Sequence, residues 1–289
     1  MSATLSIGPQ TVTITTRDGR ALHAERAGTG APVVVFESGM GMSRHTWGAV
    51  APLVAAQTTT VVYDRSGLGR SPVAAAPRDL EHLAADLCDV LAALGAGPFV
   101  LVGHSWGGPI IRQATAATAP GTVAGLVLVD QSDERCDLFF GAGNARQGKV
   151  AKVVAPALAR TRILRLVMRR LAATLPEPAA TGLRTEDGTL AATRTQLAEM
   201  EPSIADLRRL RDDPPAMPDI PVTVISGTVT TRFERSRRPA LVAAHEETAA
   251  AFPQGRHVRA ERSSHYVPFT EAELVAAEVL RVVELARAH

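Results

Sequence analysis

Phe99-Val100-Leu101-Val102-Gly103-His104-Ser105-Trp106-Gly107-Gly108 joins four apolar residues to a Gly-x-Ser-x-Gly turn, and a helical pattern over residues 107–117 follows at once. A run that is apolar at every position suits a strand covered on both faces by helices. The glycines on either side of His104-Ser105-Trp106 let the backbone pass tightly from strand to helix, which lifts Ser105 onto a strained tip with its hydroxyl exposed. The helix N-terminus behind that tip favours developing negative charge. His104, inside the motif, reads as a packing residue.

Outward from this stretch, short β-branched runs recur between helical patterns. Strands are expected at residues 12–16, 22–27, 33–37, 60–63, 99–103, 123–130, 222–226 and 257–261. Val33-Val34-Val35-Phe36 and Leu126-Val127-Leu128-Val129 are also continuously apolar, so they join 99–103 as buried parallel strands. The first two runs alternate instead, and Arg17-Asp18-Gly19-Arg20 between them carries the Asp-Gly hairpin signal, which predicts an antiparallel pair at the sheet's start. Helices are expected at residues 46–56, 79–94, 107–117, 239–251 and 271–286; in the second, Leu80, Leu83, Leu87, Val90, Leu91 and Leu94 form one apolar stripe. Strand and helix in alternation predict an α/β fold with a mostly parallel eight-stranded sheet flanked by helices.

The alternation stops after strand six and resumes near Pro221. Residues 1–130 and 218–289 are therefore expected to form the core, and residues 131–217 a helical cap inserted after strand six. In the insertion Arg162, Arg165 and Arg169 share one helix face and Ile163, Leu164, Val167, Met168 and Leu171 the other. The absence of large aromatic anchors favours a basic face turned to water over contact with lipid. Pro202 is expected to break residues 190–210 into two helices, since proline has no backbone N–H to donate.

Composition narrows the function classes. Hydrophobic residues at 46% and charged residues at 21% describe an ordinary core-forming chain rather than a disordered or fibrous one. Lys plus Arg number 31 against 29 Asp plus Glu, so the formal charge of +2 provides no broad field for nucleic acid phosphates. No stretch approaches the ~18 apolar residues of a bilayer span. Cys88 and Cys136 are isolated, and Met1 to Gln10 lacks a basic segment followed by an apolar run, so a reducing, cytoplasmic home is expected. Neither a metal cluster nor an early dinucleotide-binding Gly-x-Gly-x-x-Gly is present, so no cofactor is implied.

A serine hydroxyl is a poor nucleophile at neutral pH; it needs a base, and the base needs a carboxylate to orient it. Of eight histidines, His265 lies in Ser263-Ser264-His265-Tyr266-Val267-Pro268, a loop after the last strand at the sheet edge where Ser105 also falls. His265 is the expected base. His23, His82, His245, His257 and His289 sit in strands, helices or the terminus and read as packing or surface, while His45 could line the mouth of the site.

With these residues in view, the chain resembles the α/β-hydrolase superfamily over nearly its whole length apart from the insertion. Residues 103–108 resemble the nucleophile elbow, Tyr63-Asp64-Arg65-Ser66-Gly67-Leu68-Gly69-Arg70-Ser71 resembles the turn after strand four, and His265 stands in the histidine loop. The acid of that family usually follows strand seven, yet Thr228-Val229-Thr230-Thr231-Arg232 holds no carboxylate before Glu234. A subset similar to the haloalkane dehalogenases carries its acid at the end of strand six, where this chain has Asp130. Asp130 is the assigned acid, with Asp133 and Glu234 as alternatives and Asp64 and Arg65 read as structural. The resemblance further implies two oxyanion-hole N–H donors, Trp106 after the nucleophile and Met40 in Glu37-Ser38-Gly39-Met40-Gly41, where Ser38 departs from the common His-Gly-x pattern.

Ser105, Asp130 and His265 together imply acyl transfer to water through a covalent acyl-enzyme on a small apolar carboxylic ester, lactone or thioester. Relatives that open epoxides or displace halide use an Asp nucleophile, and Ser105 argues against both reactions. A lyase or cyclase reusing the three residues, or a ligand-binding receptor on the same fold, stays open. Met40, Trp106, Leu138, Phe139, Phe140 and Val267 are candidates for the pocket wall.

Overall fold

The computed structural model describes residues 8–161, 163–230, 235 and 237–288. Eight strands, β1 (Gln10–Thr15), β2 (Ala21–Ala27), β3 (Val33–Glu37), β4 (Thr60–Tyr63), β5 (Phe99–His104), β6 (Val123–Val129), β7 (Val222–Gly227) and β8 (Gly255–Ala260), form one sheet in the order β1-β2-β4-β3-β5-β6-β7-β8. All eight expected strands are present, with ends shifted by at most two residues. The β1–β2 pair is antiparallel, as the Asp-Gly turn predicts, and so is β2–β4; every pairing beyond β4 is parallel.

The continuously apolar strands feed two cores, because successive side chains leave a strand on opposite faces. Val35, Leu101, Leu126, Leu128 and Val224 point to one face, where they meet α2 (Leu80–Leu94) and α3 (Gly107–Ala117). Val34, Phe36, Val100, Val102, Val127, Val129 and Ile225 point to the other, against α1 (Ala51–Ala55) and, further along the chain, α10 (Ala272–Arg287). Asp79 caps α2 through its carboxylate, which accepts from the His82 N–H at 3.0 Å. The helix expected over 46–56 is instead a 3-10 turn, Arg44–Trp47, followed by the short α1.

Between β6 and β7 the described residues are helical, with α4 (Ala142–Arg160), α5 (Ile163–Ala172), α6 (Ala179–Glu186) and α7 (Leu190–Asp212). After β7 come α8 (Arg237–Ala251), β8, the single turn α9 (Val267–Thr270) and α10. Pro202 does not divide its segment: α7 runs unbroken through it. The lost hydrogen bond is outweighed by anchors on both sides of the proline. Glu199 is buried among arginines upstream, and downstream Leu207 and Leu210 enter the core while Asp206 accepts from the Leu80 N–H at 3.0 Å. Among the described residues no helix is long and apolar enough to cross a membrane.

Candidate active site

β5 delivers Ser105 to the carboxyl edge of the sheet. Its backbone is left-handed at φ 54°, and among the described residues the only other non-glycine with positive φ is Asp130, at φ 42°. Strain of this kind, which costs on the order of 1–3 kcal/mol per residue, is thus concentrated on two of the residues singled out in the sequence. The elbow is held by backbone hydrogen bonds: the Ser105 N–H donates to Val129 O (3.0 Å), and Ser105 O accepts from the N–H groups of Gly108 (3.1 Å) and Ser132 (3.0 Å). Gly107 must be glycine for space, since a Cβ there would lie 2.4 Å from Glu37 O.

His265 follows β8 and donates from Nδ1 to Asp130 Oδ2 at 2.7 Å. Its backbone carbonyl meets His104 Nε2 at 2.9 Å, and the two imidazole rings lie 4.8 Å apart, which fixes the histidine loop beside the elbow. Asp130 is fully buried. Oδ1 accepts from the Gly227 N–H at 2.9 Å, and Arg238 Nη1 donates to both carboxylate oxygens at 2.7 and 2.8 Å. Burial pushes the Asp130 carboxyl upward, but the His265 hydrogen bond and the charges of His265, His245 and Arg238 outweigh it and hold the group at about 2. His104, in contrast, is buried and next to His265, and both effects depress its imidazole to about 3.

The loop after β3 lies against the elbow: a Cβ on Gly39 would come within 3.3 Å of Ser105 Cβ and 3.0 Å of His104 Nδ1. Arg65 pins this loop in the absence of the common histidine, donating to Ser38 O (2.6 Å) and Gly39 O (2.8 Å). Ser38 Oγ adds a bond to Ser43 O at 2.9 Å. Two buried carboxylates flank the guanidinium. Glu37 accepts from Nη1 at 2.5 Å, and Glu199, on α7, accepts from Nη2 at 2.9 Å and also takes the Gly41 N–H at 3.1 Å and Arg78 Nη2 at 2.7 Å. Burial raises the Glu37 carboxyl, which has one arm of Arg65 and the Tyr63 hydroxyl, whereas two arginines outweigh burial at Glu199 and lower it. Arg65→Met is expected to destabilise the fold by about 3–5 kcal/mol in urea unfolding, because it leaves the buried Glu37 without a cation and the buried Glu199 with Arg78 as its cationic partner.

The other candidates are placed elsewhere. Asp133 is buried and accepts from Gln131 Nε2 (2.8 Å), Thr248 Oγ1 (2.7 Å) and the Arg135 N–H (3.0 Å). Asp64 holds the turn after β4 through Arg44 (2.6 and 2.8 Å) and the Arg70 N–H (3.0 Å). His45 Nε2 meets Glu186 of α6 at 3.1 Å, so it belongs to the contact between the inserted helices and the 3-10 turn. Glu234 and His289 lie outside the described residues. Of the pocket-wall candidates, Leu138 is exposed, and Phe140 packs under the Arg211 guanidinium, 4.2 Å from the ring centroid. Trp106 and Val267 are buried, and Met40 is half-buried against the core.

Arg238 and the Arg65–Glu199 pair were not anticipated. Arg238 did leave a trace: Arg237-Arg238 open α8, where the helix dipole disfavours cations, so a nearby anion was to be sought.

The Alpha/beta hydrolase family model matches residues 34–278. The chain belongs to that family. An AB hydrolase superfamily protein of Gibberella zeae is 27% identical over 286 residues, covering 89% of this chain and 87% of its own. Several other curated relatives align over less than half of their own length. Among solved structures, a mutant epoxide hydrolase of Vigna radiata superposes with a TM-score of 0.78 at 13% identity, covering 96% of this chain and 99% of that one. An esterase from Exiguobacterium antarcticum gives 0.72 at 18% identity over 95% and 100%. At these identities the two structures speak for the fold, and it is family membership that supports a hydrolase.

Proposed function

We propose that the chain is a serine hydrolase that cleaves a small carboxylic ester, lactone or thioester through a covalent acyl-enzyme. The observation that carries this reading is the 2.7 Å bond from His265 Nδ1 to a buried Asp130, beside a left-handed Ser105 at the strand-to-helix turn. His265 takes the hydroxyl proton as Ser105 Oγ attacks the carbonyl carbon. The backbone N–H groups of Trp106 and Met40 receive the oxyanion. Collapse expels the alcohol or thiol with the proton from His265; water then attacks the acyl-enzyme, giving its proton to the same imidazole, and the acid leaves with Ser105 restored. Asp130 fixes the imidazole so that its other nitrogen can accept.

In this reading residues 131–217 act as a cap over a mostly aliphatic pocket, and none of the steps calls on a cofactor. The epoxide hydrolase among the structural neighbours does not transfer its activity, since the elbow residue here is a serine. Labelling of Ser105 by a fluorophosphonate, followed by turnover of an ester panel graded in acyl length, tests the proposal. Labelling with turnover that favours short or medium acyl groups supports it; labelling without turnover points to a lyase, cyclase or receptor.

Arg238 should set the pH dependence. Its charge offsets that of Asp130 as felt by His265; the His104 and Tyr266 rings lie 4.8 and 5.5 Å from that of His265, and His245 acts on Asp130. Arg238→Met leaves a less compensated carboxylate beside His265, so the acid limb of kcat/KM is expected to move to higher pH. Arg238→Lys should leave the limb near the wild-type position. Activity–pH profiles of the three proteins decide the matter.

A further inference from the structure

Residues 138–176 contain eight Arg and Lys and no Asp or Glu, while the rest of the chain carries 23 basic residues against 29 acidic ones. A nearly neutral protein therefore consists of a strongly cationic segment and a net anionic remainder. The same segment holds seven of the eleven exposed large apolar side chains among the described residues. On α4 these are Val150, Val153 and Val154, spaced so that they form one outward stripe, with Val153 74% exposed. On α5 they are Ile163, Leu166 and Val167, again on one face, with Leu166 53% exposed.

These stripes are not the packing faces of their helices. The Met168 side chain and the Leu164 backbone of α5 lie against Gly188, both residues are half-buried, and Ala159 supplies the buried side of α4. Arg165, Arg169 and Arg170 share α5 with the outward stripe, and Lys149, Lys152 and Arg160 share α4 with its own. Among the described residues, Lys152 pairs with Glu201 of α7 at 2.9 Å.

We propose that the outer surface of α4 and α5 docks on an anionic lipid bilayer. Of the occupants such a surface could have, a bilayer alone meets both of its properties: headgroup phosphates take the cations, and the acyl boundary takes the valine, isoleucine and leucine side chains. Long Arg side chains reach the headgroups while their stems lie along apolar surface. A nucleic acid would neutralise the charge but leave both apolar stripes in water. A two-fold contact with a second copy would bury the stripes but bring the two cationic segments together.

Vesicle flotation tests the proposal. The protein is expected to float with mixed phosphatidylglycerol and phosphatidylcholine vesicles, to stay in solution with phosphatidylcholine alone, and to be released by salt. Val153→Ser/Leu166→Ser/Val167→Ser and Arg165→Gln/Arg169→Gln/Arg170→Gln alter exposed residues, so both variants should keep wild-type circular dichroism and melting. Each is expected to lower partition on the order of a hundredfold. The proposal is overturned by absence of flotation on the anionic vesicles, or by flotation that neither variant weakens. Two further results overturn it in favour of another occupant: a wild-type dimer that the serine variant dissociates, without vesicle binding; or oligonucleotide binding lost in the glutamine variant alone, again without vesicle binding.

Discussion

Ser105→Ala is expected to lower ester turnover on the order of a millionfold and to abolish fluorophosphonate labelling, while circular dichroism and the urea midpoint stay near wild type. The hydroxyl supplies the bond-forming oxygen, so nothing else at the site can replace it in the covalent step. The turn itself does not depend on that hydroxyl. It rests on the Ser105 N–H and carbonyl bonds and on the space that Gly107 leaves beside Glu37 O, all of which an alanine preserves. Alanine meets the same left-handed strain at φ 54° as serine, so no new backbone cost enters. His265→Ala should cost about as much, because the members of such a set act as a unit. If His45→Ala were the silencing change instead, the base would lie on the Glu186 side and the proposed site would be wrong.

The sheet was legible because each buried strand advertises itself twice, by an unbroken apolar run and by the turn residues at its ends. Val100, Leu101 and Val102 illustrate this: they alternate between two cores, and both cores demand apolar residues. The elbow was legible for the same reason, since Gly103, Gly107 and Gly108 mark the tight crossing locally. Pro202 misled because a local rule met long-range anchors. Glu199 and Asp206, on either side of the proline, are tied to Arg65 and Leu80, and such ties have no local signature. Arg238 at the start of α8 signals an anion without saying which: Asp130 is 108 residues away in the chain, and nothing in the spacing of either residue announces the pair. The sequence of the basic helix in the insertion suits an ordinary helix with its cations in water, yet Ile163, Leu166 and Val167 are exposed as well. A helical pattern shows that a face is apolar; it does not show whether anything covers it.

Asp130→Asn is expected to lower kcat/KM by about 10⁴ with little loss of structure, the size of effect found when a triad aspartate becomes an amide. The atoms explain why a near-isosteric change should cost so much. The amide oxygen would keep the Gly227 N–H and one bond from Arg238, because both require an acceptor, while the second Arg238 bond, to Oδ2, is lost. The amide nitrogen then faces His265 Nδ1 as a donor. To accept from it, the imidazole must move its proton to the nitrogen that should receive the proton from Ser105, and the base is lost although the ring has not moved. In the wild type this does not arise, since Asp130 is held at about 2 and remains a carboxylate at any working pH. Asp133→Asn should change turnover far less, because the Asp133 carboxylate serves Gln131, Thr248 and the Arg135 N–H. Steady-state kinetics on one activated ester, with fluorophosphonate labelling rates in parallel, separate the cases. Near-wild-type turnover in Asp130→Asn, together with a crippled Glu234→Gln, would move the acid to the strand-seven side and leave Asp130 as a purely structural partner of Arg238.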